Sequence, residues 1–131
     1  MTETTDERPV TLEDGDDLAA LLEEEDVALV DFWTKGCSLC DALEPVVGNV
    51  ARVADVQVAT LNPGNDIELV DEHDIRSVPT LILFVDGEEV DRIADGFVGV
   101  EGVLSMIREH VPERVPADAV PDADGDAEAE A

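Results

Sequence analysis

Two residues of this 131-residue chain stand out as able to do chemistry: Cys37 and Cys40, its only cysteines, spaced C-x-x-C. The apolar run Val27-Ala28-Leu29-Val30 before them predicts a buried strand. Leu43, Val46, Val47, Val50 and Val53 after them recur at helical spacing. The pair therefore falls where a strand ends and a helix begins. The first turn of a helix presents unpaired N–H groups and the positive end of its dipole, and both stabilise an anion. A Cys37 thiolate is favoured there, which makes Cys37 more acidic than a free thiol. Cys40 lies one turn deeper on the same face, within reach of Cys37 but expected to be more buried. That asymmetry suits an attacking thiol and a resolving thiol. Half a zinc site and a pair of inert core cysteines are the competing readings. Against zinc, the chain has no second C-x-x-C, and His73 and His110 show no ligand spacing. Both histidines sit in charged helix-end contexts and are expected at the surface.

The elements that must position the cysteines follow from the same pattern. Pro9 to Leu12 predicts a short edge strand, the proline being tolerated at its start. Leu18, Leu21 and Leu22 predict a helix with acids in its first turn. Strand Val27 to Phe32 leads to the cysteines and a helix reaching about Ala54, kinked by the internal Pro45. Val56 to Leu61 predicts another strand, and Asp66 to Asp74 a short helix with Ile67 and Val70 facing inward. Leu81 to Val85 is the most strand-like run; Asp86-Gly87 turns it into an antiparallel partner over Glu89 to Ala94. A last amphipathic helix, Val100 to His110, buries Val103, Leu104 and Ile107 and stops at Pro112. The order β-α-β-α-β-α-β-β-α implies an α/β fold, a mixed sheet with helices on both faces. The predicted domain spans 9–112, between a flexible acidic N-terminus over 1–8 and a disordered acidic tail over 113–131.

Charge limits the partners. The chain carries 34 acidic and 7 basic residues, a formal net charge of −27, and Lys35 is its one lysine. Nucleic acid and anionic membrane surfaces would be repelled. Most of the charge lies within the predicted domain, because residues 17–112 alone carry −16. In molar salt the Debye length shrinks to about 3 Å and most of the self-repulsion is screened. Scarce lysine, abundant Asp and Glu, and small apolar residues resemble the proteins of salt-accumulating halophiles. The N-terminus is polar and acidic, and the longest apolar run, Val78 to Val85, is too short to cross a bilayer. A cytoplasmic location is expected, where a C-x-x-C pair is more often catalytic than structural.

Over about residues 9 to 111 the chain resembles the thioredoxin family. The resemblance is carried by Leu29-Val30-Asp31-Phe32-Trp33, by Cys37-Ser38-Leu39-Cys40 and by Pro45 within the helix. Ile75-Arg76-Ser77-Val78-Pro79-Thr80 and Asp86-Gly87 complete it. It implies a thioredoxin fold and a protein-disulfide reductase that works as a monomer without a cofactor. Its electrons would come from a separate thioredoxin-reductase-like donor and go to disulfide-containing proteins. Pro79 would be cis and pack against the disulfide, the Val78 backbone would pair with an extended substrate segment, and Trp33 would pack beside the site. Asp31, at the end of a buried strand, is expected to hold its proton unusually tightly and to exchange it with Cys40 through a water. Several positions depart from the family pattern. Ser38-Leu39 replaces the usual Gly-Pro, Gly36 the usual aromatic, and Thr60 a buried lysine; the segment between Gly87 and Gly96 is one residue longer. Because the dipeptide between the cysteines tunes the disulfide, an oxidant or isomerase is the same-class alternative. A thioredoxin-fold binding or holdase module without redox turnover is the different-class one.

Overall fold

The computed structural model describes residues 8–94 and 98–119. Five strands, β1 (Val10–Leu12), β2 (Val27–Phe32), β3 (Gln57–Leu61), β4 (Thr80–Val85) and β5 (Glu88–Ile93), form one sheet in the order β1-β3-β2-β4-β5. β1, β3 and β2 run parallel, while β4 is antiparallel to both β2 and β5. Helices α1 (Gly15–Glu24), α2 (Ser38–Val53), α3 (Glu68–Glu72) and α4 (Val100–His110) complete the expected order.

β2 is buried at every position, which is why its sequence is an unbroken apolar run rather than an alternating one. Its two faces serve different cores. Val27 and Leu29 join Leu43, Val47 and Val50 of α2 and Val103, Leu104 and Ile107 of α4. Ala28, Val30 and Phe32 join Leu18 and Leu21 of α1 and Leu69 of α3. Asp31, two residues after Leu29, therefore points toward α2. α1 starts where Asp14 caps it, its side chain accepting from the Asp17 N–H at 3.0 Å. α2 runs on through Pro45.

Where the structure differs from the sequence reading, each difference has a physical cause. The short helix α3 buries Leu69 rather than Ile67, which is 72% exposed; Ile67 stands just before the helix rather than on its inner face. Val53, at the end of α2, is 39% exposed, because the buried stripe of the helix runs through Val50, Ala51 and Ala54 and leaves it to one side. His73 is half-exposed rather than fully at the surface. Its ring lies 5.9 Å from that of Phe32 and edge-on to that of Phe84 at 5.8 Å. In the β4–β5 hairpin Leu83 pairs with Asp91 but Phe84 with Glu89, a β-bulge that leaves Val90 unopposed. Asp86 and Gly87, both with positive φ, make the two-residue turn.

The packed chain also continues beyond the boundary expected at 112. Val111 and Val115 are buried beside Ala54, and the Asp55 N–H donates to the Arg114 carbonyl at 2.7 Å. Arg108 donates to the carbonyls of Pro116 and Ala117. One valine in a proline- and acid-rich stretch is enough to dock it once the backbone pairs with the end of α2. Residues 1–7 and 120–131, where the flexible N-terminus and most of the tail are expected, lie outside the described residues.

Arg92 of β5 joins the hairpin to the end of α3. Its guanidinium pairs with Glu89 and donates to the carbonyls of His73 at 2.7 Å and Asp74 at 3.1 Å. These charge-assisted bonds lie in a half-buried setting, whereas the Arg76–Asp74 pair is open to solvent. Arg92→Ala should therefore cost about 1–3 kcal/mol in urea unfolding carried out in molar KCl, and Arg76→Ala less than about 0.5 kcal/mol. Equal losses from the two variants would show that Arg92 does not anchor α3.

Candidate active site

Between β2 and α2 the backbone turns sharply. The Trp33 N–H donates to the Leu61 carbonyl at 3.2 Å, and Gly36 takes a left-handed φ of +78°. A Cβ at Gly36 would meet nothing within 4 Å, so backbone conformation rather than lack of space calls for glycine there. Cys37 is the N-cap of α2. Cys37 and Cys40 form a disulfide with their Cα atoms 5.2 Å apart. The Cys40 N–H donates to Cys37 Sγ at 3.1 Å, so an unpaired amide of the helix start is aimed at the outer sulfur. Cys37 is half-exposed and Cys40 buried at 5% exposure, the asymmetry expected from the sequence.

The segment before β4 closes over the pair. The Val78-Pro79 peptide bond is cis, Pro79 is buried and Val78 half-exposed. The Val78 carbonyl oxygen lies 3.9 Å from Cys37 Sγ. Hydrogen bonds fasten this segment at both ends. Thr80 Oγ1 donates to the Ser77 carbonyl at 2.6 Å, and Ser77 Oγ to the Ala94 carbonyl at 3.2 Å.

Asp31 lies on the inner side of the pair, 3% exposed, in register with Thr60 of β3 and Leu81 of β4. Its Oδ1 has no hydrogen-bond partner among the described residues. With Trp33, Cys40, Asp41, Glu44 and Thr60 it lines a cavity of about 180 Å³. Burial first, and the nearby Glu44 carboxylate second, push the Asp31 pKa up from 3.8 to about 7. A carboxyl poised there can hold or release a proton near neutral pH.

The structure thus gathers all six residues singled out from the sequence. Cys37, Val78 and Pro79 meet on the outer side of the disulfide; Asp31 and Trp33 share the inner cavity with Cys40. Glu44 escaped the sequence reading. Its signal is its place four residues after Cys40, on the same face of α2. Thr60, where the family carries a lysine, leaves the cavity with three carboxyls and no cation among its lining residues.

Two cysteines that close into a disulfide at a helix start are suited to thiol–disulfide exchange, and this chain is a thiol–disulfide oxidoreductase. Comparison with known proteins agrees. The family model Thioredoxin matches residues 10–109. A thioredoxin of Mycobacterium tuberculosis is 33% identical over 111 residues, covering 83% of this chain and 92% of the relative. Among solved structures, a mutant thioredoxin from Halobacterium salinarum NRC-1 superposes with a TM-score of 0.78 at 29% identity, over 83% of this chain and 96% of that one. A Schistosoma mansoni thioredoxin, at 24% identity and TM-score 0.72 over 79% and 96% of the two chains, shares the fold. The chain belongs to the thioredoxin family, and it is a protein-disulfide reductase working by dithiol–disulfide exchange at Cys37-Ser38-Leu39-Cys40. No helix among the described residues is long and apolar enough to cross a membrane.

The raised pKa of Asp31 has a stability consequence of definite sign. Between about 4 and 7 the folded chain keeps a proton that the unfolded chain has released. This group's contribution to stability therefore falls as pH rises through that window and stays low above it. Asp31→Asn should raise Tm at pH above 7, and the gain should shrink toward zero as pH falls to about 4. A gain independent of pH, measured by thermal melts in molar KCl, would contradict a buried, protonated Asp31.

Proposed function

We propose that this chain is a cytoplasmic, monomeric reductant of disulfide-containing proteins, adapted to a salt-rich interior and recharged by a thioredoxin-reductase-like donor. The observation that carries the reading is the Cys37–Cys40 pair at the start of α2, the outer sulfur accepting the Cys40 N–H at 3.1 Å. The structure holds the oxidised form. In the reduced form the same amide stabilises a Cys37 thiolate, which attacks one sulfur of a substrate disulfide. A Cys37–substrate bond forms, the substrate S–S bond breaks, and the departing thiolate takes up a proton. Asp31 accepts the Cys40 proton, and the Cys40 thiolate attacks Cys37 Sγ. The mixed disulfide breaks, the second substrate sulfur leaves as a thiolate that takes up a proton, and two electrons have passed from the dithiol to the substrate.

The half-exposed Val78, with its carbonyl near Cys37, supports pairing with an extended substrate segment, and buried Pro79 supports it from behind. Trp33, half-exposed beside the cavity, forms the other wall of the docking surface. Leu39, 43% exposed between the cysteines, adds an apolar contact. A net charge of −27, a single lysine and the Halobacterium salinarum relative support the salt-rich setting.

An equilibrium redox titration in molar KCl, followed by the fluorescence of the lone Trp33, tests the direction of action. A potential near about −270 mV is expected for a reductant; one near about −180 mV or above would make the protein an oxidant or isomerase. Cys40→Ser should also accumulate mixed disulfides with substrate proteins at Cys37. If its partners are retained without any covalent adduct, a binding module is the better account.

A further inference from the structure

Away from the disulfide, on the edge strand β5 and the last turn of α4, Asp91, Glu109 and His110 bring three ligand atoms together, all within 4.8 Å of one another. His110 Nε2 and Asp91 Oδ2 are 2.9 Å apart. Consecutive residues of a helix project about 100° apart, so Glu109 and His110 reaching one point is a specific arrangement rather than a default of the helix. It arises where α4 ends, at His110. The two nearby guanidinium groups are committed elsewhere. Arg108 donates to the Pro116 and Ala117 carbonyls, and Arg92 to Glu89 and the His73 and Asp74 carbonyls.

We propose that Asp91, Glu109 and His110 form a binding site for a first-row divalent cation, Zn²⁺ in the first instance, that ties β5 to α4. One imidazole and two carboxylates suit Zn²⁺, Co²⁺, Ni²⁺ or Mn²⁺, whereas Mg²⁺ and Ca²⁺ prefer oxygen alone. Ligand bonds of about 2.1 Å hold donors no more than about 4.2 Å apart, so small rotations of partly exposed side chains close the set. The His110 imidazole supplies a nitrogen lone pair, and the two carboxylates balance the two positive charges. Beside the triad, an open cleft of about 450 Å³, lined in part by Asp91, Met106 and Glu109, leaves room for water to fill the remaining coordination positions. The effect is a clamp: β5 has a strand neighbour on one side only, and the cation crosslinks it to the helix.

The test is calorimetric titration of Zn²⁺ into the untagged, oxidised full chain in molar KCl, where the cysteines are held as a disulfide. One saturable site is expected, and Asp91→Asn and His110→Gln should each weaken it by at least about tenfold. Glu101→Gln, an exposed acid earlier on α4, should leave it unchanged, as should an equal concentration of Mg²⁺. Disulfide exchange by the Asp91 and His110 variants should equal that of the parent. Ni²⁺ added to the ¹⁵N-labelled chain should broaden the amide resonances around 91, 109 and 110 first. Unchanged Zn²⁺ affinity in His110→Gln, equal weakening by Glu101→Gln, or displacement by equimolar Mg²⁺ would overturn the proposal, leaving only diffuse attraction of cations to an acidic surface.

Discussion

The constraint on which the rest of the structure depends is the complete burial of β2, hydrogen-bonded to β3 on one side and β4 on the other. A strand in that position has no solvent face, so any polar side chain on it must sit in the core. Asp31 is that side chain. Its strand position also places it beside the cavity against the first turn of α2, because β2 runs into α2 through only five residues. The outer sulfur, the inner sulfur and the buried carboxyl are thus placed in one stroke by a strand-to-helix connection. The antiparallel pairing of β2 with β4 brings the segment holding cis-Pro79 to the same end of the sheet.

Electrostatics divides the molecule into two regimes. Outside, a large excess of carboxylates faces solvent, where salt screens it and each acid costs little. Inside, the one buried carboxyl, Asp31, has its pKa raised to about 7 by burial, so it is divided between its two protonation states near neutrality, and the Glu44 carboxylate adds to the upward shift. Replacing the family's lysine by Thr60 removes a cation that would have opposed it. The acidic character of the surface thus reaches into the redox site through Glu44 and Asp41.

Much of the fold was legible because its signals are local. The period of β2, β4, α1 and α4, the Asp86-Gly87 turn and the strand-to-helix junction at Cys37 each depend on residues a few positions apart. The chemistry was legible for the same reason, since C-x-x-C spacing at a helix start is itself a local pattern. The misreadings of His73 and of the chain after residue 112 involve contacts between residues distant in sequence, whereas that of Ile67 turns on a helix boundary. The half-exposed His73 packs its ring against Phe32 and Phe84 from two different strands, and Ile67 is exposed because α3 is too short and begins too late to turn it inward. Val115 packs only because the chain after α4 returns to Ala54 at the end of α2.

By itself, then, the sequence determined the element order, the two-faced burial of the central strand, the redox pair and its place at a helix start. These follow from hydrophobic periodicity and from the dipole and unpaired amides of a helix terminus, which need no knowledge of the rest of the chain. Only the tertiary structure decided that Glu44 shares the Asp31 cavity, that Arg92 locks the hairpin to α3, and that Asp91 meets Glu109 and His110. Those meetings are set by strand order and helix placement, which bring together side chains that neither spacing nor composition connects.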